Sequence, residues 1–190
     1  MRKRSKEWLV ATALVASVVL WGAPSVARAQ MVQPGAGEVT PFLGLAFGDD
    51  VDGGTLAVGV AASYNVNLQI SIEGEAGFLP DISGETDRVD TTVSTFTGNV
   101  LYHFYADGLD DEFVSYATAG LGLGRFSVDF EDNRDDRSST ELAVNVGGGI
   151  KARISERLNI RADLRYFNVN DENPDFWRVY GGLGIRLGGR

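Results

Sequence analysis

Apolar and polar residues alternate strictly along most of the chain. The clearest example runs from Thr140 to Phe167, where two alternating runs flank the polar turn Ser155-Glu156-Arg157. One face carries apolar residues: Leu142, Val144, Val146, Ile150, Leu158, Ile160 and Leu164. The other mixes charges with small residues: Glu141, Asn145, Gly147, Gly149, Lys151, Arg153, Arg161, Asp163 and Arg165. Because strand side chains change face at every residue, we expect a hairpin with one apolar and one polar face.

The same alternation recurs from residue 38 to the end of the chain. It predicts eight strands of roughly ten residues, the smallest number and the strand length typical of a membrane-spanning barrel. They cover residues 39–47, 56–64, 68–78, 95–104, 113–128, 141–153, 158–167 and 177–187. The fold class is therefore all-β, a closed antiparallel up-and-down transmembrane β-barrel. In 113–128, where Gly120, Gly122 and Gly124 recur, we expect the glycines to face inward.

Three features favour a membrane barrel over a soluble, lipocalin-like one. Tight connections at 65–67 and 155–157 alternate with long polar ones at 79–90 and 129–139, as in transmembrane barrels. Aromatic residues stand near strand ends on the apolar face, where an interfacial girdle would place them. A soluble barrel would need an apolar inner face, and the recurrent Arg and Glu residues of the polar face count against it.

The first 29 residues have the three parts of a secretory signal peptide. A basic start precedes the apolar run from Trp8 to Trp21, and Ala27-Arg28-Ala29 suits cleavage before Gln30. The alternative, a membrane-anchoring helix, would need about 20 apolar residues. We therefore expect a signal peptide at 1–29, a flexible N-terminal lead-in at 30–37 and an outer-membrane β-barrel domain at 38–190.

Charge and cysteine content exclude several classes. The net charge is −9, and removing the signal peptide, which carries +4, leaves −13. An acidic chain without a basic stripe is a poor candidate for binding nucleic acid. The chain has no cysteine, so disulfides and thiolate zinc sites are excluded.

Several sequence segments, taken in their order along the chain, resemble a known family. They are GEVTPFLGLAFG, SIEGEAGF, TGNVLYHF, YATAGLGLGRF, NVGGGIKARISERLNIRADLRYF and VYGGLGIRLGGR. Together with the signal peptide they resemble the bacterial outer-membrane β-barrel domain, the small eight-stranded OmpA/OmpX-like group. The resemblance implies a Gram-negative-type cell envelope, with outer-membrane lipid, lipopolysaccharide and the barrel-assembly machinery as partners. It also implies a C-terminal assembly signal at Tyr180, Gly182, Ile185 and Leu187, although the chain ends on Gly188-Gly189-Arg190 rather than on an aromatic residue.

Candidate chemistry is sparse. His103 is the only histidine, and a catalytic dyad would need a partner such as Ser94 or Ser115. The glycines at 120–124 and 147–149 precede no helix, so they do not form a phosphate loop. Inside a narrow barrel they would make room for large opposing side chains. We expect no enzyme activity, catalytic residue, cofactor or metal site. The acidic loops, such as DDVDGG and DFEDNRDD, are expected to be solvated, with weak divalent-cation binding near lipopolysaccharide as the alternative.

The polar face predicts how the barrel interior is filled. An eight-stranded barrel is just wide enough for its own side chains, so acids and bases from opposite walls should meet. The expected interior charge network comprises Glu73, Glu75, Lys151, Arg153, Arg161, Asp163, Arg165, Arg178 and Arg186. Such a plug favours a structural, envelope-integrity or surface-interaction role. The alternative is a narrow porin-like channel for small solutes or ions.

Overall fold

A computed structural model of the chain describes residues 31–48, 51–80, 89–105, 112–130, 137–169 and 175–188. It contains eight antiparallel strands, each paired with the next, and the last pairs with the first to close a barrel. The strands are β1 (Gly37–Gly48), β2 (Val51–Asn65), β3 (Ile70–Leu79), β4 (Val89–Phe104), β5 (Phe113–Phe130), β6 (Arg137–Arg153), β7 (Leu158–Val169) and β8 (Phe176–Leu187). The predicted fold class and strand number are confirmed.

Three central strands are longer than the alternation predicted. β4, β5 and β6 have 16, 18 and 17 residues, so they extend into the segments assigned to loops at 79–90 and 129–139. The ladder continues there, with Val89 opposite Phe130 and Asp90 opposite Asp129. Backbone pairing thus prevails over the polar sequence, which suggested loops. β2 likewise begins at Val51, inside the acidic Gly-rich loop expected at 48–54. The remaining parts of these loops lie outside the described residues.

The two ends of the barrel differ. At one end, called the turn end, β2–β3 and β6–β7 are joined by tight turns. Asn67 Oδ1 accepts hydrogen bonds from the backbone N–H groups of Gln69 and Ile70, at 2.8 and 2.7 Å. Ile154 N–H donates to the Leu158 carbonyl at 2.9 Å. β1 begins and β8 ends at the turn end, and β4 and β5 are joined there through residues 105–112. The connections β1–β2, β3–β4, β5–β6 and β7–β8 lie at the opposite end, which we call the loop end.

Alternation separates the side chains as expected. Outward positions are apolar and exposed, as at Leu43, Leu121 and Leu142, while the intervening positions are buried in the interior. The inward placement of Gly120, Gly122 and Gly124 on β5 is confirmed, since the leucines between them are exposed. This arrangement exposes an apolar surface around the barrel and encloses the polar residues.

The N-terminal residues differ from the flexible lead-in expected at 30–37. Residues 31–36 fold beneath the turn end, with Gly35 at a φ of 79°. Gly35 N–H donates to the Asn65 carbonyl at 2.8 Å, and Asn65 N–H donates to the Ala36 carbonyl at 3.0 Å. Met31 and Val32 are buried against Val114 and Tyr105. We call Met31, Val32, Val114 and Tyr105 the turn-end cluster. It forms where the apolar pair Met31-Val32 packs against the end of the barrel interior.

The seam between the first and last strands has one gap. β1 pairs with β8 at Val39 and again at Phe42, but the register skips Thr40 and Pro41. Proline has no backbone N–H to donate, which explains a break in a ladder at this position. β1 remains paired with β2 through both residues, so the strand itself is continuous.

A second apolar group closes the interior at the loop end. Its members lie on inward positions near the strand ends, and we call them the loop-end cluster: Ala46, Ala57, Leu79, Val93, Ala143, Phe167, Val169 and Phe176. The rings of Phe167 and Phe176 are stacked, with centroids 4.9 Å apart. Polar side chains therefore fill the interior between two apolar clusters.

No helix in the described part of the chain is long and apolar enough to cross a membrane.

Candidate functional site

The middle of the barrel holds six charged side chains in direct contact, which we call the central network. Glu73 and Glu75 come from β3, Arg161, Asp163 and Arg165 from β7, and Arg178 from β8. The side chains that form its ion pairs are fully buried. Three carboxylates face three guanidinium groups, so the central network is electrically neutral. Neutrality matters because an unpaired charge would be costly to bury.

Glu73 joins two arginines across the barrel. Its carboxylate pairs with Arg161 and, at 2.8 Å, with Arg165 Nη2. Asp163, between the two arginines on β7, accepts from Arg161 Nη2 at 3.0 Å and from Arg165 Nε at 2.9 Å. Arg165 also reaches Glu75 Oε2 through Nη1, at 3.1 Å. β3 and β7 lie on opposite walls, so the pairs that Glu73 and Glu75 form with Arg161 and Arg165 span the full width of the interior.

Arg178 extends the central network towards the loop end. It pairs with Glu75, and its guanidinium carbon lies 4.7 Å from the ring centroid of Phe167 and 4.9 Å from that of Phe42. Aromatic faces attract cations, most strongly where water is excluded. Phe167 also belongs to the loop-end cluster, so Arg178 connects the charged layer to the apolar layer.

A second buried pair lies between the central network and the turn end. Lys151 Nζ on β6 lies 2.7 Å from Glu38 Oε1 on β1. Asn159 donates to the other Glu38 oxygen at 2.7 Å, and the Thr40 hydroxyl donates to Oε1 at 3.3 Å. This pair is also neutral, and it crosses from β6 to β1.

The structure brings together six of the nine side chains that the sequence assigned to an interior network. Lys151 pairs separately with Glu38. Arg186 lies at the turn end, where its Nη2 donates to the Met31 carbonyl at 2.7 Å. Arg153 is also near this end, and its backbone N–H donates to the Glu112 carbonyl at 2.8 Å. Position along the strand therefore separates these two residues from the central network.

The four residues of the expected assembly signal occupy both faces of β8. Tyr180 and Gly182 face inward, whereas Ile185 and Leu187 are exposed on the outer surface. Tyr180 stacks on Phe42, with ring centroids 4.2 Å apart, and its hydroxyl lies 3.4 Å from Arg165 Nη2. In the folded barrel, Tyr180 is thus part of the filled interior.

Three residues that contact the buried ion pairs were not predicted from the sequence. Tyr116 donates its hydroxyl proton to Asp163 and accepts from Arg161 Nε at 2.7 Å. It shares a face with the inward glycines of β5, which could have revealed it. Glu38 and Phe42 share the inward face of β1, but only the register across the barrel brings them to their partners.

The inward glycines create the space that these side chains occupy. A Cβ atom at Gly147 would lie 2.8 Å from Arg165 Cγ, and one at Gly77 would lie 2.6 Å from Arg178 Nη1. At Gly149 it would overlap the Tyr116 hydroxyl, and at Gly120 the Asn99 amide. The expected role is confirmed at the inward Gly120, Gly147 and Gly149, whereas Gly148 lies on the outward face and makes no such space.

His103 does not form either of the dyads considered from the sequence. Its imidazole is buried inside the barrel, while Ser94 and Ser115 lie on outward positions of β4 and β5. The sheet itself separates the imidazole from both hydroxyls. His103 lies beside Tyr116, with ring centroids 6.0 Å apart. The geometry excludes a Ser–His pair at these positions.

Most acidic loop residues expected to attract cations lie outside the described residues. Asp175 is described, and its carboxylate accepts hydrogen bonds from Tyr166 at 2.6 Å and from Asn168 at 2.7 Å. Within the described ranges, no group of three or more His, Asp and Glu side chains could hold a metal ion. The cation expectation therefore stays a prediction about the loops.

Comparisons with known proteins agree on the fold. A profile of the outer membrane protein beta-barrel domain matches residues 13–186. A "22 kDa outer membrane protein" from Rhizobium leguminosarum bv. viciae is 31% identical over 81 residues, which cover 40% of this chain and 37% of that protein. The chain therefore aligns with little more than a third of this relative.

Solved structures of eight-stranded barrels are similar at low sequence identity. The N-terminal β-barrel domain of Pseudomonas aeruginosa OprF has a TM-score of 0.62 and 18% identity, covering 81% of this chain and 98% of that one. Neisserial surface protein A has a TM-score of 0.64 and 16% identity, covering 80% and 96%. The attachment invasion locus protein Ail of Yersinia pestis has a TM-score of 0.58 and 14% identity, covering 82% and 100%. At these identities the likeness establishes the fold alone.

Proposed function

Because the chain belongs to the outer membrane protein β-barrel domain family, we propose that it is a closed, non-enzymatic barrel with a structural, envelope-integrity or surface-interaction role. The family places the protein in the outer membrane. The more specific role rests on the interior, because transport requires a path between the two ends of the barrel. The same proposal includes export by a cleaved signal peptide at 1–29 and insertion by the barrel-assembly machinery.

The observation that supports a closed barrel is the succession of filled layers. From the loop end inward these are the loop-end cluster, the central network, the Glu38–Lys151 pair and the turn-end cluster. The two charged layers are neutral and cross-linked between opposite walls. A hydrated ion would have to separate buried ion pairs and then displace packed apolar side chains, which is strongly unfavourable.

The non-enzymatic part of the proposal has separate support. The buried histidine is separated by the sheet from the two serines considered as partners. The central carboxylates are saturated by arginines, so they are poorly placed to transfer a proton to a substrate. Within the part of the chain that the structure describes, apolar clusters occupy both ends of the interior, which leaves a substrate no route to these carboxylates.

The long strands support the surface-interaction part. β4, β5 and β6 exceed the roughly ten residues that cross a bilayer, and their extra length lies at the loop end. We expect this three-stranded extension to stand beyond the membrane on the cell surface, together with the acidic loops. Divalent cations would be able to bridge these loops to the phosphate groups of neighbouring lipopolysaccharide.

Single-channel recording tests the closed barrel against the channel alternative. Purified, refolded protein in a planar bilayer should give no steady conductance. A variant in which Glu73, Arg161 and Arg165 are all replaced by alanine removes half of the central network but keeps the Glu38–Lys151 pair and both apolar clusters, so it too should give no steady conductance if these layers block the path. Heat-modifiable migration on a detergent gel shows whether each protein has folded. Reproducible conductance steps from the unaltered protein would establish the narrow channel instead.

The envelope role needs a test in cells. A strain that lacks the protein should become more sensitive to detergents and large apolar antibiotics, and the unaltered gene should restore resistance. If the sensitivity of this strain is unchanged, and fluorescent labelling of intact cells reveals no partner that binds the protein at the surface, the proposed role is wrong even for a closed barrel.

A further inference from the structure

One charged side chain stands on the part of the outer barrel surface whose side chains the structure describes. Among the outward strand positions whose side chains the structure describes, only Arg125 carries a charge. It lies on β5, two positions beyond the exposed Leu123 and towards the loop end. Charged residues on a lipid-facing surface are costly at the bilayer midplane and become tolerable near the interface. The position of Arg125 therefore needs a reason.

The neighbours of Arg125 mark the border of the apolar belt. In the β-ladder Arg125 pairs with Ser94 on β4 and with Thr140 on β6. One step towards the midplane, Leu123 pairs with Phe96 and Leu142, both exposed. The Cβ atoms of directly paired residues lie roughly 5 Å apart, so Ser94 and Thr140 stand on either side of Arg125 at this border.

One further step towards the loop end the surface is polar. There Ser127 on β5 pairs with Thr92 on β4. Arg125 thus lies in the first polar row above the belt, with apolar side chains below it and hydroxyls beside and above it. This is the height at which lipid head groups meet the acyl chains.

Arg125 has no carboxylate partner among the residues whose side chains the structure describes. None of the ion pairs that the described side chains form with one another in the barrel interior includes Arg125. Its side chain is exposed. A long arginine side chain at an interface keeps its stem on apolar surface and directs its guanidinium group to the head groups. There the planar guanidinium group can bind a phosphate through two parallel hydrogen bonds.

The overall charge of the protein limits how an anion could bind near Arg125. The chain is acidic, so its general field repels anions rather than attracting them. An anion held at this border must therefore be held by local contacts. We propose that Arg125, flanked by Ser94 and Thr140, binds a phosphate group of an outer-leaflet glycolipid of the lipopolysaccharide class. The assignment rests on the proposed function only in placing the loop end at the cell surface.

Binding of lipid A to the detergent-solubilised protein tests the site. Native mass spectrometry would follow diphosphorylated lipid A on the full mature chain, on Arg125→Gln and on Arg157→Gln. Arg157 is the matched control, because it is an exposed arginine in the turn at the opposite end. We expect Arg125→Gln to bind about tenfold more weakly or worse, and Arg157→Gln to bind as the unaltered protein does. Arg125→Lys should retain part of the affinity, since lysine keeps the charge without the planar fork.

Two further arms identify the ligand chemistry. Lipid A from which both phosphates have been removed should bind the unaltered protein and Arg125→Gln equally. Inorganic phosphate should compete weakly, because it lacks the acyl chains that contact Leu123 and Phe96.

Equal lipid A affinity for the unaltered protein and Arg125→Gln would overturn the proposal. Retained discrimination with the phosphate-free lipid would overturn it too. Effective competition by inorganic phosphate would show a free-anion site instead. Conductance does not enter this experiment, so its failure is distinguishable from failure of the closed-barrel function.

Discussion

The buried charges illustrate how single residues depend on their partners. Glu73 contacts Arg161 and Arg165 at once, and all three side chains are shielded from solvent. A buried ion pair adds little stability compared with a well-packed apolar pair, but removing one partner leaves an uncompensated charge. Glu73 is therefore the residue whose neutralisation should disturb the central network most.

We expect Glu73→Gln to lower the free energy of unfolding by about 3–5 kcal/mol, the cost typical of breaking a buried pair. Neutralising Arg161 in the same molecule should restore part of this loss, because residues in one network are not additive. Urea unfolding of the refolded protein in detergent, analysed as a double-mutant cycle, measures both effects. Glu156→Gln, in an exposed turn, is the control and should change little. Strict additivity of Glu73 and Arg161 would mean that the two charges do not interact.

A pair of glycines on neighbouring strands tests how closely the strands pack. A Cβ atom at the inward Gly122 would lie 2.6 Å from the backbone Cα atom of Thr97. At the outward Gly98, the nearest atom, the Leu121 carbonyl oxygen, would be 4.0 Å away. We expect Gly122→Ala to destabilise the barrel by about 1–3 kcal/mol through overpacking. Gly98→Ala should be neutral or slightly stabilising, because glycine within a strand is entropically unfavourable. The same urea titration compares them, and equal stabilities would show that the ladder adjusts freely.

At the scale of whole strands, the two-residue alternation of the sequence predicts which face each residue occupies. It assigned Arg161, Asp163 and Arg165 to one face of β7 and the glycines of β5 to the interior. It could not assign height along the barrel axis, because height depends on register and strand tilt. That is why Arg153 and Arg186 were grouped with the central network although they lie at the turn end.

Two other features could not be read from alternation. Phe167 and Phe176 occupy inward positions beside the buried arginines Arg165 and Arg178, and only the ladder brings their rings together. Residues 31–36 have no periodicity, so the sequence suggested a flexible segment. Their order comes from tertiary contacts with Asn65, Val114 and Arg186, which lie far away in the chain.

Cysteine accessibility tests the ordered N-terminal segment, since the chain has no cysteine of its own. Val32→Cys places a thiol at a buried position, whereas Pro34→Cys places one at an exposed position two residues away. We expect a charged maleimide to react with residue 32 about tenfold or more slowly than with residue 34, because it must wait for local opening. After unfolding in urea the two rates should become similar. Similar rates in the folded protein would instead support the flexible lead-in expected from the sequence.

At the scale of the whole molecule, the barrel reverses the distribution of a soluble protein. Its outer surface exposes large apolar side chains on every strand, while its interior contains the arginines and glutamates. In lipid this arrangement satisfies the backbone by closing the sheet and satisfies the charges by pairing them. Aromatic residues mark the borders, and at the loop end Tyr166 packs against Trp177 with ring centroids 5.2 Å apart.

The last prediction concerns the depth of this belt. The chain has three tryptophans, two of which lie in the expected signal peptide, so Trp177 is a natural fluorescent probe of the mature barrel. It stands at the loop-end border, paired with Phe47 and Tyr166. Lipids brominated near the head group should therefore quench it more strongly than lipids brominated near the end of the acyl chain.

The matched control moves the probe to the centre of the belt. Leu43 lies midway along β1 and is 58% exposed, so a protein with Trp177→Phe and Leu43→Trp should show the opposite preference for deep bromine atoms. If both proteins show the same depth profile, the belt does not lie across the bilayer as the closed barrel requires. If neither is quenched, the outer surface does not contact lipid at all. Opposite profiles require the aromatic border and the aliphatic centre to sit at different depths of one transmembrane barrel.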